Sequence, residues 1–200
     1  MHNRRVQLLS FPEAATPPDL RAQVRALHDA AWPPSHPPAD HDTETDTAHD
    51  PALHPRSMLL VDDGTVLAAL DVLSKPLVHA GRRYRAGGLS AVVTRPAARG
   101  RGHGRRLVAA AHEAMSRSGL DLGVFTCDRP LRSFYESAGW QLLPGTVLVG
   151  GTPTAPFPSD RPGFDKVTMA AFFSAPARES RAVFRHTRLE LYPGEIDRLW

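Results

Sequence analysis

The chain of 200 residues carries 24 Lys/Arg, 21 Asp/Glu, 10 His and a single cysteine, Cys127. That length suits one domain with a proper core, a lone cysteine excludes an internal disulfide and suits a reducing compartment, and no apolar run approaches the ~20 residues of a membrane helix. The net charge of +3 hides a partition: residues 1–80 hold eleven acidic against six basic side chains, residues 81–135 hold eleven arginines against three acids, and residues 136–200 hold seven of each. A basic middle beside an acidic front predicts two partners of opposite charge.

The N-terminus "MHNRRVQLLSFPEAA" is too weakly apolar for a secretory signal, so the expected location is cytoplasmic. "RRVQLLS" reads as a first strand. "PPDLRAQVRALHDAAW" reads as a helix, with Leu20, Val24, Leu27 and Ala31 at helical spacing and Asp19 placed to cap it. The proline-rich "PPSHPPADHDTETDTAHDP" reads as a loop, with room for a helical turn from Thr43. "SMLLVDDGTVLAALDVLSKPLV" gives two strands about an Asp62-Asp63-Gly64 turn. A turn at Ala80-Gly81 leads to a short strand, "RRYRA", and then to a buried strand, "GLSAVVT". "RRLVAAAHEAMSRSG" is a helix closed by Gly119, "LDLGVFTC" a strand, and "PLRSFYESAG" a helix with Pro130 at its start and Gly139 beyond its end. "WQLLPGTVLVG" follows as a kinked strand, "GTPTAPFPSDRPG" as a loop, "FDKVTMAAFF" as a strand, and "TRLELYPGEIDRLW" as an edge strand. The order predicts a mixed α/β sheet.

The densest signal is "TRPAARGRGHGRR", where three glycines and five arginines fall within Arg95–Arg106, directly before a helix. Glycine lets the backbone approach a ligand, the first N–H groups of the helix point outward, and arginine suits phosphate geometry. A phosphate or pyrophosphate is the expected ligand. The Lys-Ser/Thr ending of a nucleotide-triphosphate loop is missing, and Arg105 stands where a dinucleotide GxGxxG needs its third glycine.

What remains is Arg99-x-x-Gly102-x-Gly104, which resembles the pyrophosphate loop of the GNAT acetyltransferases. The order around it is similar too: a strand written "AVVTRPAARGRGHG", then "GVFTC", then a helix with an aromatic pair and Gly-aromatic, "LRSFYESAGW", from Arg82 to about Phe173. The resemblance implies a GNAT fold, with a mixed, mostly antiparallel sheet flanked by helices, and one domain over residues 1–200. It implies acetyl-CoA as acetyl donor, bound by Ala91, Val92, Val93, Thr94, Arg99, Gly100, Arg101, Gly102, His103, Gly104, Arg105 and Phe134.

In that family an amine attacks the thioester directly. The resemblance implies a carbonyl-binding N–H near Val92 and Val93, and Tyr135 as the acid for the departing thiolate; a core-packing role is the alternative for Tyr135 and Phe134. Many relatives carry a carboxylate base at the position of Ser90, and serine is no base at neutral pH, so a water chain or a carboxylate from elsewhere must serve. Cys127 has no Cys-His signature around it and reads as a buried thiol.

"TETDTAH" at 43–49, "YESAGW", "GTPTAPFPSD" and the tail "GEIDRLW" are similar to the aminoglycoside 2'-N-acetyltransferases. That likeness implies a substrate loop over about 33–56 and a substrate-binding tail over about 174–200. It implies a small cationic amine held by Asp40 or Asp42, Asp46, Asp160, Glu195 or Asp197, and the Trp200 carboxylate, with Ser90 and Thr126 beside it; because Ser90 is no base, the tail is expected to accept the proton, through Glu195, Asp197 or the Trp200 carboxylate. Ser90 and the longer tail depart from that branch, which keeps other amines, a peptide N-terminus or a polyamine, in play. The acids of residues 40–50 suit a polycation.

Other classes fit less well. Tyr84 is the one stacking aromatic among "RRYR" and the arginine loop, too few for a nucleic-acid binder. His28, His36, His41, His49 and His54 show no metal-ligand spacing. A GNAT-like acyl-CoA sensor without catalysis is the remaining rival, because of Ser90. Exposed edge strands favour a homodimer.

Overall fold

A computed structural model describes residues 6–33 and 48–192 of the chain. The predicted helical turn from Thr43, and the candidates Asp40, Asp42, Asp46, Glu195, Asp197 and Trp200, lie outside the described residues. Strand β1 (Gln7–Pro12) runs antiparallel to β2 (Arg56–Asp62). Asp63 and Gly64, at φ 47° and 72°, then turn the chain into β3 (Thr65–His79). Positive φ at both central residues is what a tight hairpin turn demands, so the Asp-Gly signal is borne out. Ala80 and Gly81 repeat the same φ values and lead into β4 (Arg82–Thr94). The two strands expected there are one, paired with β3 along its length.

The remaining strands are β5 (Leu122–Asp128), β6 (Gln141–Leu142), β7 (Val147–Thr152), β8 (Ala155–Pro158), β9 (Lys166–Phe172) and β10 (Arg188–Glu190). They build a seven-stranded sheet in the order β1-β2-β3-β4-β5-β9-β6 and a three-stranded sheet in the order β10-β7-β8. In the larger sheet only β4 and β5 are parallel. The helices are α1 (Pro18–Ala31), α2 (His103–Arg117), α3 (Arg132–Glu136) and α4 (Ala175–Glu179). The expected α/β class, a mostly antiparallel mixed sheet flanked by helices, is what forms.

Strand β2 shows why the sequence reads as it does. Its run "MLLV" is apolar on both faces because both are covered. Met58 and Leu60 pack in the core that holds Leu107, Val108, Ala111 and Met115 of α2. Leu59 and Val61 pack in a second core with Leu27 of α1, against which Leu20 and Val24 also lie. Helical spacing on α1 and alternation on β2 therefore describe one interface from its two sides.

Several local expectations change. Asp19 sits in the first turn of α1, and Pro17 takes the cap position. Helix α2 starts at His103, two residues early, because Gly102 at φ +78° turns the chain straight into it. The kink in "WQLLPGTVLVG" is a break at Pro144-Gly145 that sends β6 and β7 to different sheets. The expected loop "GTPTAPFPSD" contains β8, which pairs with β7. The tail's edge strand is three residues long and parallel to β7. Among the described residues no helix is long and apolar enough to cross a membrane.

Candidate active site

The site begins where two strands part. β4 and β5 pair only at Ala86–Leu122 and Gly87–Gly123. The contact is so close that a Cβ on Gly87 would meet Leu120 and Met115 at 2.7 Å, and one on Gly123 would meet Trp140 at 2.7 Å. Beyond this point the strands separate. The N–H and C=O groups on that edge of β4 open into a gap where a ladder would otherwise continue.

Within the gap β4 carries a bulge. Asp71 pairs with Ser90 and Ala69 with Val93, so Leu70 alone faces both Ala91 and Val92. Ala91 takes φ +51°, and its carbonyl lies 3.1 Å from His28 Nε2 on α1. A bulge re-aims side chains and backbone groups, and here it turns the stretch from Ser90 to Thr94 along the gap.

Two clefts result. One, of about 720 Å³, is lined by Val93, Thr94, Arg99, Gly100, Gly102, His103, Gly104, Arg105 and Phe134. The other, of about 480 Å³, is lined by Ser90, Ala91 and Thr126, together with Leu89, Phe125, Cys127, Asp128, Phe157, Phe164 and Lys166. Val92 and Tyr135 line both clefts, as do Trp32 and Leu131, so the clefts meet at these four residues. Arg101 is exposed and lines neither. Asp160 is also outside both and pairs with Arg188 Nη1 at 3.0 Å.

The larger cleft fits a pyrophosphate. Gly100 and Gly102 stand at φ +74° and +78°, and a Cβ at either would meet nothing within 4 Å. Gly102 heads α2 without any side-chain cap. The first helical N–H to find a carbonyl is that of Arg106, on Gly102 O at 2.9 Å, so those before it point out of the helix end. Gly104 matters for packing instead. A Cβ there would meet Thr94 Oγ1 at 2.8 Å and the Phe134 ring at 3.4 Å, so its absence lets α2 lie against β4. The five arginines also divide. Arg95 is bound to Val66 O and Gln23 Oε1, and Arg106 reaches Val6 O, while Arg99 and Arg105 line the cleft.

Tyr135 is buried at the junction, with Phe125 and Phe134 ring centroids at 4.9 and 5.0 Å. Burial, helped by Cys127 and Asp128, pushes its phenol above the ordinary range, so it stays protonated. Burial also pushes the Cys127 thiol up to about 11. At neutral pH that leaves about one part in 10⁴ as thiolate, the nucleophilic form.

Behind Ser90 lies a polar cluster the sequence did not reveal. Ser90 Oγ is 3.1 Å from His49 Nε2; His49 Nδ1 is 3.3 Å from Glu13 Oε1 and 3.9 Å from Asp71 Oδ2. Ser57 donates to Asp71 Oδ1 at 2.6 Å, and the Ala48 N–H donates to Glu13 Oε1 at 2.7 Å. Glu13, His49, Ser57 and Asp71 are buried. Burial alone would raise Glu13, but hydrogen bonds from His49 and Ala48 outweigh it and hold the carboxyl low. For Asp71 burial wins over its hydrogen bond from Ser57, and the carboxyl is raised. These residues come from separate elements, so no spacing could announce them. The one local signal is Asp71 itself, an acid inside the apolar run "TVLAALDVL". Sequence reasoning also misses Trp32, Leu131, Phe157 and Phe164, because they meet only once the chain has folded.

A family model described as an acetyltransferase (GNAT) domain matches residues 15–143. None of the curated proteins matches the chain. Among solved structures, an acyl-CoA N-acyltransferase from Pseudomonas aeruginosa superposes with a TM-score of 0.54 at 19% identity, over 83% of this chain and 99% of that one. Escherichia coli ElaA gives 0.55 at 15%, over 83% and 99%. The E. coli GNAT family N-acetyltransferase YhbS, in complex with CoA, gives 0.58 at 17%, over 94% and 91%. At such identities these structures speak for the fold, whereas the family model spans the splayed strands, the glycine loop and the aromatic pair in one match. The chain therefore belongs to the GNAT acetyltransferases, acyl-CoA-dependent N-acetyltransferases with acetyl-CoA as donor.

Proposed function

We propose that the protein acetylates a primary amine of a small cationic acceptor by direct attack in a ternary complex. The observation that carries this is the meeting of the two clefts at Val92 and Tyr135. Acetyl-CoA, when bound, supplies an acyl carbon activated as a thioester, on which the amine nitrogen replaces sulfur. The cleft at the head of α2 holds its pyrophosphate on backbone N–H groups, with Arg99 and Arg105 alongside. The opened edge of β4 near Val92 and Val93 offers an N–H to the acyl oxygen. Tyr135 donates a hydrogen bond to the departing sulfur. The second cleft takes the acceptor. With the Cys127 thiol near 11, an acyl-cysteine route is disfavoured.

Within that reading an aminoglycoside is the proposed acceptor. It rests on the likeness of "TETDTAH", "YESAGW" and "GEIDRLW" to the 2'-N-acetyltransferases and on the acids of residues 40–50. We assign Asp40, Asp42, Asp46, Glu195 and Asp197 to binding it, with about 33–56 as the substrate-binding loop and about 174–200 as the substrate-binding tail of a single domain. A second reading draws on the acceptor cleft itself. Its described walls are aromatic, with Phe125, Phe157, Phe164 and Trp32, and its Asp128 is paired with Lys166 at 2.7 Å. Those walls favour an amine on an apolar or aromatic body, such as a peptide N-terminus. Thiol release from acetyl-CoA with aminoglycosides, polyamines, arylalkylamines and short peptides tests both. Turnover with aminoglycosides supports the first reading, turnover confined to apolar amines supports the second, and no turnover with any amine sinks both.

A further inference from the structure

Ser90 stands where a base is wanted but cannot be one alone. We propose that Ser90, His49 and Glu13 form a proton relay that takes the surplus proton of the acceptor amine out of its cleft. The relay rests on the proposed placement of the amine beside Ser90.

Three observations converge on it. Ser90 lines the acceptor cleft, and its hydroxyl is within hydrogen-bond reach of His49 Nε2. The other ring nitrogen, Nδ1, faces two carboxyl groups, Glu13 Oε1 at 3.3 Å and Asp71 Oδ2 at 3.9 Å. Carboxylates there favour the tautomer with hydrogen on Nδ1, which leaves Nε2 as the acceptor for the Ser90 hydroxyl. Finally, Glu13 and His49 also line a separate cleft of about 430 Å³, beside His54 and Arg56, so the cluster connects two openings.

The proton count closes. One proton passes from the attacking nitrogen to Ser90 Oγ as the Ser90 proton passes to His49 Nε2. The nitrogen keeps the electron pair that forms the new N–C bond, and Ser90 is unchanged. His49 becomes an imidazolium beside Glu13, whose carboxyl is held low and whose negative charge stabilises it. After product leaves, Glu13 passes the Nδ1 proton to water in the cleft of about 430 Å³, and exchange with water, which takes the proton from Nε2 and returns one to Nδ1, restores the Nδ1–H tautomer beside Glu13.

The groups that set this charge come from every side. Glu13 follows β1, Ser57 is on β2, Asp71 on β3 and Ser90 on β4. His28 of α1 acts on Asp71, while Asp50 is engaged by the Ala52 N–H. A wholly structural cluster would satisfy the same hydrogen bonds, but it would give no reason for the loss in a His49 variant to shrink as the amine deprotonates in solution.

That difference is the test. His49→Gln, Ser90→Ala and Glu13→Gln are made in the full chain, with thermal melts to confirm folding. Each is assayed with acetyl-CoA and an amine that the wild type acetylates, between pH 6.5 and 9.5. His49→Gln should lower kcat/KM at least tenfold at pH 7. The gap should narrow with rising pH, as the amine reaches the site already deprotonated. KM for acetyl-CoA should stay within twofold. A loss that is the same at every pH overturns the relay. Nitrogen NMR of His49 gives an arm independent of any acceptor: the wild type should hold an Nδ1–H, Nε2-bare ring at pH 8. An Nε2–H tautomer, or a doubly protonated ring, overturns it. If no amine is acetylated, the acceptor reading has failed and this tautomer alone decides the relay.

Discussion

At the scale of single residues, Tyr135 and the loop glycines make opposite demands on the backbone and on chemistry. Tyr135→Phe keeps a ring between Phe125 and Phe134 and removes only the hydroxyl. It should melt near the wild type, bind CoA with unchanged affinity, and lose at least tenfold in kcat, about 1.4 kcal/mol. A kcat within twofold would reduce Tyr135 to packing. Its pH behaviour is signed as well. A phenol raised by burial disfavours the ionised form in the fold. Stability from it is therefore complete below the ordinary phenol value and is lost as pH climbs toward the folded value, and no falling rate limb from Tyr135 should appear below pH ~10. The glycines separate by geometry. Gly102→Ala places a methyl in the open cleft at φ +78°, which should cost about 1–2 kcal/mol of stability and weaken CoA binding together. Gly104→Val instead strikes Thr94 Oγ1 and Phe134 and lifts the head of α2 from β4. Melting curves with calorimetric CoA titration distinguish them: a Gly102→Ala protein with wild-type CoA affinity would remove the backbone cradle from the reading.

Among the elements, the bulged strand β4 links fold and site most directly. Ala91 at φ +51° is a non-glycine in a region that L-residues avoid, held there by pairing on both sides of the bulge and by His28 on its carbonyl. Ala91→Gly removes the Cβ strain and should leave stability within about 1 kcal/mol. Ala91→Val adds a β-branched side chain at positive φ and should cost about 2 kcal/mol or more. Because Val92 borders both clefts, that variant should raise KM for donor and acceptor alike; unchanged kinetics would mean that the bulge is incidental. This element also marks the limit of sequence reading. "GLSAVVT" announces a buried strand and "RGRGHG" a phosphate loop, because alternation, glycine and charge are local properties. The residues expected to hold the cofactor from Val93 to Arg105 accordingly fall on one cleft, apart from Arg101. The bulge, the parting of β4 from β5, and the cluster of Glu13, His49 and Asp71 arise from register between distant strands. Local patterns carry no such information, which is why the grouping of Glu13, His49 and Asp71 leaves no trace in the sequence and why Asp160 is offered to a substrate although it pairs with Arg188. Helix α2 begins early for a similar reason, since the turn at Gly102 depends on how the loop leaves β4.

For the whole molecule the governing feature is charge. The segment from 81 to 135 holds eleven arginines against three acids and contributes β4, the loop and α2, the elements around the donor cleft. The acidic front lies earlier in the chain, with five acids among residues 40–50. Screening reaches these two regions differently according to what the acceptor is. The Debye length falls from about 30 Å at 0.01 M salt to about 8 Å at 0.15 M. KM for acetyl-CoA should rise with salt on either reading, because the proposed pyrophosphate site places the phosphates beside Arg99 and Arg105, both exposed. The acceptor is where the readings divide. A cationic sugar held by Asp40, Asp42 and Asp46 should show KM rising several-fold over that range. Replacing the three by Asn should raise KM at low salt and flatten the dependence, since the charge that salt screens would be gone. An amine on an aromatic body, held against Trp32, Phe157 and Phe164, gains from burial rather than from distant charge, and its KM should stay flat or fall in sulfate. We expect the rise, with donor and acceptor KM climbing together. A flat acceptor KM, indifferent to the three Asn replacements, would assign the aromatic walls the recognition and leave the acidic front outside the site.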